Sequence, residues 1–126
     1  MVIPADIEYI LAQCLKDICP AYPTPVPMDL NAPAITITRT GGSRASVVVD
    51  THLVSIDVYG DNYGDATDTA GQAVGAICEL YGEVVQGTQL GAVNVLTLPY
   101  ANPDPNHPTL ARVTFTASLV AKAVIK

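Results

Sequence analysis

Residues 51–60, THLVSIDVYG, lead through a short turn into residues 65–82, DATDTAGQAVGAICELYG, and the change of rhythm between these two stretches decides the fold. The first alternates with period two. That places His52, Val54, Ile56 and Val58 on one face of a strand and Leu53, Ser55, Asp57 and Tyr59 on the other. In the second, Ala66, Ala70, Ala73, Val74, Ile77 and Tyr81 recur at helical spacing and form a stripe of mostly small residues that lets a helix lie close to a sheet. Nothing reactive separates them. Such a pair builds a surface rather than a pocket.

Working outward, the 60–65 turn is polar, and Asn62 or Gly64 is placed to cap a helix whose first turn holds Asp65 and Asp68. Gly71 and Gly75 each weaken that helix by about 1 kcal/mol relative to Ala, and Gly82 ends it. Upstream, Ala34–Thr40 alternates Ile35 and Ile37 against threonines, as a half-buried strand does. Gly41 and Gly42 then reverse or loosen the chain, and Ser43–Asp50 reads as a further strand or the arm of a projecting hairpin.

Residues 19–33, CPAYPTPVPMDLNAP, hold five prolines, which fix an extended path and oppose ladder pairing; the segment reads as a stiff strap. Residues 1–18 form the helical segment before it, with the helix itself over 4–18: Pro4 suits a first turn, Asp6 and Glu8 favour its positive end, and Ile7, Ile10, Leu11, Cys14 and Ile18 share a face. Downstream, Ala92–Leu98 is a strand, Pro99–Pro108 a loop too rich in proline to join a sheet, and Leu110–Ile125 a long strand with Val113, Phe115, Ala117 and Leu119 on one side. Beyond Leu119 both faces turn apolar, as in a central strand or a contact between subunits. The expectation is therefore an α+β fold in a single domain, 1–126, with a mixed or antiparallel sheet of four to five strands packed against two helices, the second over 65–81.

The chain of 126 residues is 49% hydrophobic but only 14% charged, against about 25% charged in a typical soluble protein. Its mean hydropathy is +0.32 and its apolar mass is aliphatic, with one Phe and no Trp. A lone monomer has too little polar material to cover its outside, so other subunits are expected to cover part of it. The net charge is −6, and the six cations, Lys16, Arg39, Arg44, Arg112, Lys122 and Lys126, are scattered. Tight phosphate binding needs clustered cations; an acidic surface instead suits a conduit that must not hold DNA.

Cys14, Cys19 and Cys78 are odd in number, lack a CxxC pair and lie far from His52 and His107, so no zinc site is expected. Cys14 reads as a small buried apolar residue and Cys19 as a reduced thiol at a helix end. Asp6 and Glu8 stand where an export signal carries cations, and the longest apolar stretch, Ala117–Ile125, is too short for a membrane span, so neither export nor membrane insertion is expected. No nucleophile elbow, zinc-protease, P-loop or dinucleotide pattern occurs. His52 and Asp57 fall on opposite strand faces with no Ser or Cys nucleophile tied to them, and His107 reads as exposed in a loop. The expectation is no catalysis and no cofactor. Asp57, within an apolar strand, needs water or a cation such as Arg39 or Arg112.

The order of parts (amino-terminal helix, proline strap, strand, GG hairpin, the D-x-x-x-V-x-I-D-V-Y-G strand at Asp50–Gly60, alanine-rich helix at Ala66–Tyr81, and Pro99-Tyr100 before the Leu110–Val120 strand) resembles the tail terminator, or tail completion, proteins of long-tailed phages, especially those of actinobacterial hosts. The resemblance spans nearly the whole chain. It implies a virion protein, assembled in the host cytoplasm, that forms a homo-oligomeric and expectedly hexameric ring at the head-proximal end of the tail. There it would stop tail tube polymerisation, dock to the head-completion or connector protein and leave a channel through which genomic DNA passes without sequence-specific contact. The family has no catalytic residues to carry over. Tentative interface residues are Arg39 and Arg44 on the 39–50 hairpin, Asp57, Asp61 in the 60–65 turn, and Arg112, with the 99–108 loop as a rim. A head-closure or neck protein on the portal side is the nearest alternative, and a small-ligand-binding domain a more distant one.

Overall fold

The computed structural model describes residues 1–126. In chain order the elements are β1 (Val2–Ile3), α1 (Ile7–Leu15), β2 (Ala21–Pro23), β3 (Ala34–Arg44), β4 (Val49–Gly60), α2 (Tyr63–Cys78), β5 (Val84–Val85), β6 (Thr88–Ala101), β7 (Ala111–Lys122) and β8 (Val124–Ile125). Strands hold 46% of the residues, and the main sheet, curled into a half-barrel, contains six of them in the order β2-β3-β4-β7-β6-β5. β1 and β8 make a separate two-stranded sheet. The expected four to five strands against two helices is thus corrected. The additional strands are two or three residues long and carry no alternation to read; their partners define them.

Both helices lie on one face of the sheet, α1 over β2 and β3 and α2 over β4, β7 and β6. The faces expected for the two long strands meet in register: His52 opposite Leu119, Val54 opposite Ala117, Ile56 opposite Phe115 and Val58 opposite Val113, all buried. Against them α2 presents Ala66, Ala70, Ala73 and Ile77, while Gly71 and Gly75 face open solvent. Small side chains bring the helix axis close to the sheet. Asn62 is the N-cap, its side chain accepting from the Asp65 backbone N at 2.9 Å. The helix ends at Cys78, earlier than expected, and Tyr81 stands outside it, exposed. At the strand-to-helix turn, a Cβ on Gly60 would sit 2.7 Å from the Ala66 backbone N, so this position requires glycine.

Asp6 caps α1, which runs over Ile7–Leu15 rather than 4–18 and buries Ile7, Ile10, Leu11, Ala12 and Leu15. Cys14, expected in the core, is half-buried, and Cys19 is the buried thiol. Burial pushes both thiols up from their ordinary range.

Three readings of glycine and proline are corrected. The Gly41-Gly42 pair does not reverse the chain; β3 continues through it to Arg44 with a bulge between Arg39 and Gly41. Gly42 takes φ +141° there, and a Cβ would lie 2.1 Å from the Thr51 carbonyl oxygen. Reversal comes at 45–48, where Ala45 and Ser46 donate to the Val49 carbonyl. The proline strap does join the sheet: β2 pairs parallel with β3, Ala21 opposite Ile35 and Pro23 opposite Ile37. Pro99 likewise lies inside β6, at a register irregularity between Thr97 and Tyr100. Both strands are at or near an edge, where a missing N–H faces away from the ladder.

Candidate functional site

Three surface features stand out. The first is a polar cleft on the sheet face opposite the helices. Tyr59 is buried there with Leu30 and Ala34, under the strap. Its hydroxyl donates to Asp104 Oδ2 at 2.8 Å, His107 Nδ1 lies 2.9 Å from the same oxygen, and the Asn106 backbone N donates to Oδ1 at 3.0 Å. The His107 ring meets Tyr59 edge-on, centroids 5.5 Å apart. Arg112 spans the cleft: Nε donates to the Asn102 carbonyl at 2.6 Å, and Nη1 stands 3.7 Å from Asp104 and 3.9 Å from Asp57. Thr114 donates to Asp57 at 2.7 Å and accepts from Asn102 at 3.1 Å. Val26, Pro27 and Met28 of the strap complete the walls of a cavity of about 530 Å³.

Burial raises the Asp104 carboxyl, but donation from His107, Tyr59 and the Asn106 N–H, with Arg112 nearby, outweighs it and holds the group at about 2. Burial and the bond to that carboxylate push Tyr59 up to about 12. Asp104 therefore stays charged and Tyr59 neutral across neutral pH, and the bonds between them clamp the 102–110 loop onto the sheet. Most of the network's donors and acceptors meet one another, and neither Ser nor Cys lines the cavity.

The second feature is the hairpin tip. Arg44 donates to both oxygens of Asp50, at 2.6 and 3.0 Å, and through Nη1 to the Val2 carbonyl at 3.1 Å. Ala123 donates to the Val48 carbonyl at 2.7 Å, so the tip is tied to β1 on one side and to the end of β7 on the other. Below it, His52 is buried with Nε2 unpartnered, and burial lowers its pKa.

The third feature is an open sheet edge. β5 pairs with β6 at Thr88 and Gln89 alone, Gly82 and Glu83 continue the cover to Leu90 and Gly91, and from Ala92 to Ala101 no strand lies on the side of β6 away from β7. Leu96, Leu98 and Tyr100 project from this stretch with 55, 72 and 47% exposure, and β6 holds no charged residue.

Of the residues singled out in the sequence, Asp57 and Arg112 come together in the cleft, while Arg44 is engaged within the chain by Asp50. Arg39 and Asp61 are exposed, on the hairpin arm and in the turn before α2, and neither joins an ion pair. His107, expected to be exposed, is largely buried against Tyr59, a correction with a local cause: Asp104 and His107 are three apart and close an Asx-type turn that carries the imidazole inward. Sequence reasoning missed Tyr59, Asp104 and Glu8. Glu8 links three segments, its Oε1 accepting from Thr24 N at 3.0 Å and Thr24 Oγ1 at 2.5 Å, its Oε2 from Arg39 N at 2.8 Å. The Asp-x-x-His spacing was a readable signal for the turn. Nothing local marks Glu8, whose partners lie 16 and 31 residues away.

No family model matches the chain, and no curated protein does. Among solved structures it is similar to a chain of the virion of a native gene transfer agent particle. The TM-score is 0.67 at 14% identity, over 92% of this chain and 94% of that one. The two share a fold across almost their whole lengths. No helix of the structure is long and apolar enough to cross a membrane.

Proposed function

We propose that the chain is a structural virion subunit, free of catalysis, that assembles with copies of itself into a ring, expectedly of six, on the head-proximal end of a phage tail tube. The ring ends tube growth, receives the head-completion protein and leaves a channel for DNA. The observation that carries a virion role is the likeness in fold, over 92% of the chain, to a component of a gene transfer agent particle. That likeness fixes no position along a particle, and support for the tail end comes from the order of elements that resembles tail terminators. The physical properties agree: excess aliphatic surface, a bare strand edge, scattered cations and a network that consumes its own titratable groups.

Electron microscopy of tails assembled with and without the protein tests this reading. The expected outcome is overlong, unjoined tubes in its absence and a cap of density at one end in its presence. Tubes of normal length that join heads without the protein overturn it. Binding to tailless heads but not to purified tubes instead favours a head-closure role.

A further inference from the structure

Every residue from Ala92 to Ala101 of β6 belongs to a strand with nothing paired on its outer side. Exposed strand edges invite pairing with another chain, and proteins that remain single blunt them with charges, inward lysines or covering loops. This edge has no charge, and it adds three large apolar side chains, Leu96, Leu98 and Tyr100. The one proline, Pro99, sits at an irregularity and leaves the rest of the edge free to pair. Such an edge stays soluble when it is covered in the assembled state.

The same sheet has one other open edge. β2 covers β3 at Ile35–Ile37, and the Glu8 carboxylate takes the Arg39 N–H, but Thr40–Arg44 extends past both and is exposed throughout. β3 is antiparallel to β4, β4 to β7 and β7 to β6, so β3 and β6 run in opposite directions at opposite ends of the sheet. Placed side by side, β6 of one copy and the β3 arm of the next make an antiparallel ladder. Charge is compatible: the arm begins beside Arg39, which joins no ion pair, and ends at Arg44, which Asp50 already balances, whereas the border of β6 carries Glu83, whose carbonyl accepts from Leu90 N. Through the ladder, Arg44 and Leu90 lie at the same height, since Arg44 pairs with Asp50, Asp50 with Ala121, and Ala121 with Leu90. The same ladder sets Gly42 level with Val93 and Gly41 with Asn94, so a rotation about an axis along the strands brings Ala92–Val95 of one copy to the level of Thr40–Ser43 on the next.

We infer that the occupant of the β6 edge is a second copy of this chain, which adds its Thr40–Ser43 arm antiparallel to Ala92–Val95, the first part of the bare stretch, and makes a head-to-tail contact. Because the two edges differ, the contact is heterologous and closes only as a ring. This inference rests on the ring reading above and specifies its interface.

The test is disulfide trapping in a background of Cys14→Ser, Cys19→Ser and Cys78→Ser, which removes every native thiol. Thr40→Cys is combined in turn with Asn94→Cys, Val95→Cys and Leu96→Cys, and each protein is oxidised after assembly on tail tubes. The expected result is a ladder of covalent multimers from at least one pair and none from the single-cysteine chains. Assembled caps visible by microscopy with no crosslink from any pair overturn the edge contact while leaving the ring intact. Crosslinked dimers from a β6 single cysteine alone indicate symmetric β6 pairing and overturn it too. A chain that stays monomeric both alone and on tubes overturns the edge contact and the ring together.

Discussion

The two long borders of the main sheet are finished in opposite ways. On the β3 side, a three-residue parallel strand, a proline strap and the Glu8 carboxylate close the edge as far as Arg39 and leave only the Thr40–Arg44 arm open. On the β6 side, β5 and its flank cover four residues, Thr88–Gly91, and then stop, leaving ten unpaired and uncharged. A chain able to protect one border has the means to protect the other. On the proposed reading, the covered part of β3 serves the monomer's stability, while the bare stretch of β6 and the open β3 arm serve assembly.

The largest effect should come from charging the bare border. Leu96→Lys with Leu98→Lys is expected to leave the free energy of urea unfolding within about 0.5 kcal/mol of the parent, as for exposed positions, yet to abolish caps on tail tubes. Normal caps would erase the distinction between the borders. On the covered side, Glu8→Ala removes three hydrogen bonds to a carboxylate and leaves the Arg39 and Thr24 N–H groups unpaired. A loss of roughly 2 kcal/mol in denaturant unfolding is expected; unchanged stability would show that the strap does not depend on that carboxylate.

The cleft sharpens the contrast through pH. Asp104 is held at about 2, below the ordinary aspartate value, so its contribution is present above about pH 4 and is lost as pH falls toward 2. Asp104→Asn should flatten that acid limb of a thermal-unfolding profile and cost about 1 kcal/mol at neutral pH. A mutant whose acid limb parallels the parent's counts against the network. Smallest are Gly71→Ala and Gly75→Ala, where open space surrounds each added methyl; each should stabilise the monomer by about 0.5–1 kcal/mol. If both variants are more stable but fail to cap tubes, the outer face of α2 is a second contact surface.

Much of the core was legible because its signals are local and repeated. Val54, Ile56 and Val58, then Val113, Phe115, Ala117 and Leu119, alternate over enough residues to declare a buried face without knowledge of the partner strand. Ala66, Ala70, Ala73 and Ile77 do the same at helical period. Proline and glycine misled, because their effect depends on which side of a strand faces a neighbour: Pro23 and Pro99 are harmless at an edge, and Gly41-Gly42 relieves a bulge instead of making a turn. The cleft was half visible. Asp57 and Arg112 were named, but the loop that delivers Asp104 and His107 gives no sign in the sequence of which strand it will fold back upon.

By itself the sequence determined which residues must leave water, where the two helices and the long strands run, and that so few charges cannot cover the outside of a solitary chain. The tertiary structure alone decided the sheet's six strands, the clamp at Asp104 and which border stays bare. Periodicity is a property of neighbours in the chain, whereas pairing, and the lack of it, is a property of segments far apart that meet only in the folded molecule.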